Sequence, residues 1–360
     1  MADLVYTPAE RAAIALDALR LPLSVQEKLF PFDAGAMPPD VTGEAFLSAV
    51  RGVLTEEEFA KWEGALCGGE WFEKLLREYA SRSVACVTRF SHTYPAGCLS
   101  LPEPPLVLYC EGDVSLLSVQ KFGVTGSRRI PPHLEKLAEE YARGIARKFA
   151  VVSSSAAGGD SAALRGALES GRAVCVLAEG SLVAGPACNL SLFARIRERG
   201  LLVSEFPPSF HAPVYRFSAR NRIVAALSDV LLVVSAGSKS GTLITADLVH
   251  KLGRTVYAVP CSPGVAAGEG CNALLKEYAK CTDKLVDIAA AFGINLTETE
   301  PVPLSEREQS VLELLRGGPA HSAALAEKLG LQPQETIVLL TLLEMKGKVV
   351  SLGGNRYSLV

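Results

Sequence analysis

Short apolar runs alternate with amphipathic helices along the chain from about residue 85 to residue 290. The runs that predict strands are Val84–Val87, Leu106–Tyr109, Phe122–Thr125, Ala150–Ser153, Ala173–Leu177, Leu201–Ser204, Val230–Val234 and Val256–Val259. The helical patterns are Pro131–Lys148, Asp160–Ser170, Leu190–Arg199, Phe217–Leu227, Gly241–Leu252 and Asn272–Lys280. Strands that are apolar on both faces need helices on both sides of a parallel sheet. The sequence therefore predicts an α/β fold over residues 85–292, with a doubly wound, Rossmann-like, mostly parallel sheet that binds ligands at the carboxyl ends of its strands.

The segments on either side of this alternation predict two further modules. Residues 1–84 predict an N-terminal helical, SAM-like module, with helices at Pro8–Leu19, Thr42–Gly52 and Thr55–Ala65. Residues 293–303 have the composition of a linker, and residues 304–360 predict a winged helix. The winged-helix pattern consists of three helices and a hairpin, at Ser305–Arg316, Ser322–Leu329, Pro333–Lys346, Lys348–Leu352 and Arg356–Leu359. Its third helix carries two acids and a single lysine, which favours protein docking or autoregulation over reading of a DNA groove.

Residue types that bind anions are concentrated between Tyr215 and Thr245. An arginine cluster beside an aromatic side chain leads into a short helix, and a loop of small residues with one lysine opens the next helix. Guanidinium groups, a lysine and free N–H groups at a helix start all bind anions, and phosphate is the foremost candidate. The residues that carry this pattern are Phe217, Arg220, Asn221, Arg222, Lys239, Ser240, Gly241 and Thr242.

A second candidate site follows the first parallel strand, at Gly126-Ser127-Arg128. Gly126 and Ser127 can turn the chain tightly with their N–H groups toward an anion, and Arg128 adds charge and bidentate hydrogen bonds. The alternative is a surface arginine after a tight turn. Neither this loop nor the one at Lys239 has the glycine pattern of a dinucleotide site or the Gly-Lys-[Ser/Thr] of a triphosphate loop. The two loops therefore predict binding of an anion without triphosphate hydrolysis.

Two acids near these loops have alternative interpretations. Asp160 is better explained as an N-cap of the following helix than as a ligand contact, while Ser153–Gly159 are candidates for a pocket floor. Glu205 either hydrogen-bonds a base or ribose or pairs with an arginine, and we favour the ion pair. No acid pair, Cys/His dyad or Ser/His/Asp set stands out in the sequence, so we expect no catalytic residues and no enzyme activity.

Charge and cysteine usage narrow the class of protein. The net charge of −3 restricts any nucleic-acid contact to a local basic cleft. The nine cysteines form no Cys-x-x-Cys pair and the five histidines are scattered, so we expect no metal site, disulfide framework or cofactor. No apolar run reaches the ~20 residues of a membrane span, and the N-terminus lacks a signal pattern. We therefore expect a cytoplasmic protein without a membrane partner.

A set of short motifs occurs in a specific order from about residue 85 to the end of the chain. They are Tyr94-Pro95, Pro104–Tyr109, Gly112-Asp113, Gly126-Ser127-Arg128, Gly158-Gly159-Asp160, Arg165–Leu168, Ser204–Pro208, Phe217–Arg222, Ser240–Thr245, Val259-Pro260, Ser262-Pro263 and Gly270-Cys271-Asn272. Leu304-Ser305, Leu343–Gly347 and Tyr357 continue the order into the winged helix. This arrangement resembles the DNA-processing protein A family, also called DprA or Smf.

The resemblance implies a single-stranded-DNA-binding protein of natural transformation and recombination. Such a protein protects incoming strands, forms a homodimer and promotes loading of a RecA-type recombinase. The residue roles that the resemblance implies are phosphate binding by Arg128, Arg220, Arg222 and Lys239, base stacking on Phe217, and a loop or base-edge contact by Asn221. Two alternatives stay open at this point: a nucleotide phosphoribohydrolase-like enzyme that uses Glu205 or Asp247, and an interaction scaffold without nucleic-acid affinity.

Overall fold

The structure, a computed structural model, describes residues 6–20, 44–57, 59–60, 70–212, 219–286, 288, 304–345 and 348–359. The chain forms two compact units, residues 1–288 and residues 289–360. The predicted linker at residues 293–303 and the predicted stacking residue Phe217 lie outside the described residues. The module boundary predicted at residue 84 stays a prediction. Within the described ranges, none of the helices combines the length and the apolar character that a membrane span requires.

The first unit contains one sheet of nine strands. The strands are β1 (Val84–Thr88), β2 (Val107–Gly112), β3 (Lys121–Thr125), β4 (Ala150–Ser154), β5 (Ala173–Val176), β6 (Leu201–Ser204), β7 (Val230–Val233), β8 (Thr255–Ala258) and β9 (Lys280–Cys281). Their order is β1-β2-β6-β5-β4-β3-β7-β8-β9. β2 runs antiparallel to β1 and β6, and the other neighbours are parallel. The predicted mostly parallel sheet is confirmed.

Helices cover both faces of this sheet. They are α1 (Pro8–Ala18), α2 (Glu44–Val53), α3 (Trp71–Ser81), α4 (Ala96–Leu99), α5 (Pro132–Ile145), α6 (Gly159–Leu168), α7 (Leu190–Arg199), α8 (Asn221–Leu227), α9 (Gly241–Lys251) and α10 (Glu269–Glu277). Apolar residues of α5, α6 and α7 form one core with β3 to β6, and residues of α4 and α8 pack on the opposite face. α9 and α10 cover β7 and β8, while α1 and α3 cover β1 and β2. The sheet is therefore enclosed as its apolar strands require.

The predicted helix Asn272–Lys280 is wrong at its C-terminal end. The structure ends α10 at Glu277, and Lys280 begins β9, which pairs in parallel with β8. The N–H of Ala279 donates to the carbonyl oxygen of Leu274 at 2.8 Å, so the last turn is closed there. A two-residue edge strand is too short to produce an alternating pattern in the sequence.

The topology places a crevice between β3 and β7. Beyond β3 the sheet continues with β4, β5 and β6, and beyond β7 it continues in the opposite direction with β8. The two central strands are parallel neighbours, with Thr125 opposite Val233. The loops that leave their carboxyl ends diverge to opposite faces of the sheet, and such switch points are where doubly wound sheets bind ligands. The two predicted anion loops, which follow β3 and β7, therefore meet at one place.

The second unit has the architecture of a winged helix. Its elements are β10 (Ala320–His321), β11 (Val349–Gly353), β12 (Arg356–Leu359), α11 (Glu306–Leu315), α12 (Ser322–Leu329) and α13 (Pro333–Met345). β12 pairs antiparallel with both β10 and β11. Ser305 and Glu308 form a capping box at the start of α11, and Val311, Leu325 and Leu340 contribute to a small core. The predicted three helices and hairpin are confirmed.

Candidate nucleic-acid interface

A cleft of about 380 Å³ opens at the carboxyl ends of β3 and β4, facing the N-terminal ends of α8 and α9. Its lining residues are Thr125, Gly126, Arg128, Ser154, Ala156, Asp160, Arg220, Asn221, Val224, Ser240, Gly241, Thr242 and Thr245. The cleft thus brings together both predicted anion loops, although they are far apart in the sequence. Three of the predicted residues, Ser127, Arg222 and Lys239, do not line it.

Arg220 is the most constrained cation of the cleft, with only 5% of its surface exposed. Its Nη1 donates to the carbonyl oxygen of Val176 at 2.7 Å and to the hydroxyl of Ser155 at 3.3 Å, and its Nε donates to Oδ1 of Asn221 at 3.2 Å. Burial lowers the pKa of Arg220, and the nearby Asp160 opposes this effect. An arginine nevertheless stays protonated in proteins. Its Nη2 makes no hydrogen bond with the described residues, which leaves donor capacity toward the cleft.

The structure corrects the predicted N-cap role of Asp160. Gly158 is the N-cap of α6, so Asp160 lies inside the first turn. Its carboxylate accepts hydrogen bonds from the hydroxyl of Thr125 at 2.8 Å, from the N–H of Gly126 at 3.0 Å and from the hydroxyl of Ser154. Burial raises the pKa of Asp160, and these hydrogen bonds oppose the rise. The carboxylate therefore joins the ends of β3 and β4 to the start of α6.

The loop that carries Arg128 is fixed by its backbone contacts. The N–H of Gly126 is bonded to Asp160, so it does not face an external anion as the sequence suggested. The N–H of Gly159 donates to the carbonyl oxygen of Ser127 at 3.1 Å. A Cβ on Gly159 would lie 2.6 Å from Cα of Gly126, so the two backbones touch and leave no room for a side chain. The side chain of Arg128 is the part of this loop that faces the cleft with charge.

The N-terminus of α9 forms the other side of the cleft. The hydroxyl of Ser240 caps this helix by accepting from the N–H of Thr242 at 3.2 Å. The N–H of Gly241 makes no hydrogen bond with the described residues. Nδ2 of Asn221 donates to the carbonyl oxygen of Gly241 at 3.3 Å, which agrees with the predicted loop-holding role of this asparagine. A helix start with an open N–H and a positive dipole end is favourable for an anion.

Arg222 and Lys239 lie in different surroundings from Arg128 and Arg220. Arg222 forms an ion pair with Glu205, and only 19% and 18% of their side chains are exposed. The favoured ion-pair interpretation of Glu205 is confirmed, and this pair lies outside the cleft lining. Lys239 is exposed on the loop that precedes α9. Phosphate binding by either side chain stays a prediction.

The acids proposed for an enzymatic alternative are engaged elsewhere. Asp247 accepts a hydrogen bond from the hydroxyl of Tyr278 at 2.5 Å, and neither Asp247 nor Glu205 lines the cleft.

Sequence reasoning missed Thr125, Val224 and Thr245 as lining residues of the cleft. Thr125 is a polar residue at the carboxyl end of its strand, and Thr245 lies one helical turn after Gly241, on the same face of α9. Both positions could therefore have been predicted from the sequence to line the cleft.

Comparison with known proteins gives a consistent result. A family model described as DNA recombination-mediator protein A matches residues 85–293, and one described as the DprA winged helix domain matches residues 296–355. A Mycobacterium tuberculosis protein whose name includes DprA is 38% identical to this chain over 276 residues, which cover 72% of this chain and 71% of that protein. The DNA processing protein DprA of Bacillus subtilis is 32% identical over 232 residues, which cover 63% of this chain and 78% of that protein.

Two solved structures share the fold. The X-ray structure of DprA from Streptococcus pneumoniae matches with a TM-score of 0.64 and 26% identity, covering 78% of this chain and 97% of that one. A structure of DNA processing protein A from Helicobacter pylori matches with a TM-score of 0.54 and 28% identity, covering 58% of this chain and 95% of that one. That structure is described as giving insight into the single-stranded DNA binding mode of the Helicobacter pylori protein. Because the two family models together span most of the chain, it belongs to the DNA recombination-mediator protein A family, the DprA/Smf family of DNA-processing proteins.

Proposed function

We propose that this chain binds single-stranded DNA in the cleft at the carboxyl ends of β3 and β4. The observation that carries the proposal is the state of Arg220, a buried guanidinium without a hydrogen-bonded carboxylate. A buried charge that lacks a bonded counter-ion is unfavourable, and a phosphate in the cleft would supply the missing partner. Arg128 and the open N–H of Gly241 line the same cleft and add to its affinity for phosphate.

A single strand suits this site better than a duplex. The chain has a net charge of −3, so its positive potential is confined to local regions such as this cleft. Single-strand sites combine a local row of cations with aromatic stacking of about 1–3 kcal/mol per base, and Phe217 is the predicted stacking residue. The described DNA-binding mode of the Helicobacter pylori relative supports the same ligand class.

The first experiment is a salt titration of binding to oligo-dT and to a duplex of equal length. Affinity for the single strand is expected to fall steeply with salt, because each neutralised phosphate releases counterions. The double variant Arg128→Ala, Lys239→Ala is expected to bind more weakly and to lower the slope of log K against log salt by about 1.4, at ~0.7 per lost phosphate contact. Lys74→Ala with Arg77→Ala, two exposed cations on α3, is the matched control.

Two results would contradict the cleft as the binding site. One is an affinity that is the same at low and high salt. The other is tight binding that survives the loss of both Arg128 and Lys239 while the control pair behaves identically.

The proposal extends to recombination. We infer that the protein is a cytoplasmic homodimer that protects incoming strands during natural transformation and promotes loading of a RecA-type recombinase. The support is the family description, which is that of a recombination mediator. We expect bound oligonucleotide to resist an exonuclease, recombinase filaments to form faster in the presence of the protein, and sedimentation to give twice the monomer mass. If the protein is a monomer and delays filament formation, the inference about recombination is wrong, while the proposal that the cleft binds single-stranded DNA is unaffected.

The proposal also holds that the site binds without cleaving. Its support is the placement of Glu205 and Asp247, which are bonded to Arg222 and Tyr278 outside the cleft. Incubation with AMP should therefore release no free base, and a release that depends on Glu205 or Asp247 would favour the phosphoribohydrolase-like alternative.

A further inference from the structure

Cationic side chains also collect at the opposite edge of the sheet, where the parallel strands begin. We call them the amino-edge patch, and they are Arg147, Lys148, Arg172, Arg195 and Arg199. β4, β5 and β6 are neighbours in the sheet, and each begins within two residues after one of these cations. Because neighbouring strands lie about 4.8 Å apart, the three loops that carry the patch lie within about 10 Å across the strand direction.

Direct contacts confirm that the three loops meet. Nη1 of Arg172 donates to the carbonyl oxygen of Lys148 at 2.8 Å, which joins the loops before β5 and β4. A Cβ on Gly171 would lie 3.0 Å from the carbonyl oxygen of Arg199, which places the loop before β6 against them. The patch is therefore one continuous surface.

A purely structural explanation accounts for only part of the patch. α5, α6 and α7 all end at this edge, and cations near helix C-termini stabilise the partial negative charge of the last carbonyl groups. Arg172 bonds such a carbonyl group. By contrast, Arg147, Arg195 and Arg199 are exposed, and their side chains form no hydrogen bond or ion pair with the described residues. Their guanidinium groups keep all their donors available.

Nearby carboxylates leave this charge largely uncompensated. Glu169 is bonded through both of its oxygens to Arg143, at 2.5 and 2.8 Å, and these hydrogen bonds and the charges of Arg143 and, without a hydrogen bond, Arg195 help to lower its pKa. Glu198 is exposed next to Arg199 and makes no ion pair with the described residues, while Glu111 is paired with Arg197. The edge therefore carries a local positive surplus in a chain whose net charge is −3.

We propose that the amino-edge patch binds the phosphates of a second segment of nucleic-acid strand. Arginine predominates in it, and a guanidinium binds phosphate with paired, geometrically matched hydrogen bonds. Protein and membrane docking surfaces present large apolar anchors, and none of the exposed large apolar side chains of the described residues falls within residues 143–149, 169–173 or 195–200. The proposal rests on the proposed function and adds a second contact to it.

The fold sets the distance that the strand must cover. α5 leads from the Arg128 loop to Arg147, and its 14 residues measure about 21 Å at 1.5 Å per residue. Successive phosphates of one strand are about 3.4 Å apart or more, so about six nucleotides or fewer cover this distance. An oligonucleotide of about 4 nucleotides in the cleft therefore does not reach the patch, whereas a long strand can occupy both. Oligonucleotide length therefore separates the two contacts.

The experiment measures affinity for oligo-dT of about 4 and about 60 nucleotides, both at two salt concentrations. The triple variant Arg147→Gln, Arg195→Gln, Arg199→Gln removes exposed guanidinium groups that hold no structural bond. Lys74→Gln, Arg77→Gln, Lys276→Gln removes the same charge from exposed positions elsewhere and is the control. The long strand is expected to bind the patch variant with a salt slope smaller by about 2, which is about 20-fold in affinity change over a fourfold change in salt.

The two lengths separate the two proposals. Short-strand binding is expected to be unchanged in the patch variant and to be weaker in Arg128→Ala. If the patch variant binds the long strand like the wild type, or if the control triple loses as much, the amino-edge patch has no such role. If short-strand binding does not depend on Arg128, the cleft proposal fails whatever the patch variant shows.

Discussion

Replacing Asp17 with asparagine tests how the N-terminal helix is held on the sheet. Asp17 of α1 is 5% exposed, accepts a hydrogen bond from the hydroxyl of Tyr109 at 2.8 Å, and lies 3.5 Å from Nη1 of Arg20. Burial raises the pKa of Asp17 from 3.8 to about 6, against the opposing effect of Arg20. The native state therefore binds the proton of Asp17 more tightly than the unfolded state does. The contribution of this proton to the free energy of unfolding is fully present below pH 3.8 and is lost as the pH rises through about 6. A difference of about two pH units corresponds to about 3 kcal/mol lost at neutral pH.

Asparagine has no charge to bury, and its side-chain oxygen can still accept the hydrogen bond from Tyr109. Asp17→Asn is therefore expected to remove the contribution of Asp17 to the pH dependence of stability between about pH 4 and pH 6. It is also expected to raise the free energy of unfolding at pH 7 by up to about 3 kcal/mol, less any loss at Arg20. The assay is urea denaturation at several pH values, followed by tryptophan fluorescence. One of the two tryptophans of the chain, Trp71, packs against the same cluster as α1.

The control for this experiment is Asp17→Ala. It removes the acceptor for Tyr109 and leaves a cavity, so it should destabilise the protein at every pH. The reasoning is refuted if Asp17→Asn lowers the free energy of unfolding equally at low and neutral pH, because the carboxyl group would then not have a raised pKa.

Two further substitutions test contacts that position the cleft and cap the first helix. Gly159→Ala places a Cβ 2.6 Å from Cα of Gly126, so we expect a loss of about 1–3 kcal/mol in stability and weaker oligo-dT binding as the Arg128 loop moves. Gly52→Ala, whose Cβ would meet nothing within 4 Å, is its control, and equal oligo-dT affinity in both variants would contradict the argument. Thr7→Ala removes the capping box with Glu10 and should lower the free energy of unfolding in urea by about 1 kcal/mol, whereas no change would show that the cap is dispensable.

The fold was predictable because its signals are local and repeated. Strands buried on both faces produce apolar runs, and the helices between them carry their own start signals, such as the two prolines at the start of α5. The position of the cleft followed from topology, since the carboxyl ends of parallel strands share one edge. This is why Arg128 and Arg220 could be assigned to one site although about 90 residues separate them.

The partners of individual polar groups could not be predicted in the same way. Asp160 has the residue type and place of a helix cap, and only the three-dimensional structure shows that its carboxylate reaches Thr125 and Gly126 instead. Arg222 follows Arg220 by two residues, yet the short helix turns it toward Glu205 and away from the cleft. Sequence patterns identify residue types that bind anions, but they do not tell which of those residues already has an internal partner.

The N-termini of α6 and α9 both face the cleft, and the internal charges decide which of these two can receive a ligand. The carboxylate of Asp160 occupies the start of α6 and takes the N–H of Gly126, so a second anion there would meet a like charge. The start of α9 has no such group among the described residues, and Arg220 is held near it by Asn221 rather than by a bond to Asp160. Asp160 still favours the charged form of Arg220 from a distance. The cleft is therefore polarised, and we expect a phosphate to bind on the side formed by Arg220 and α9 rather than at the start of α6.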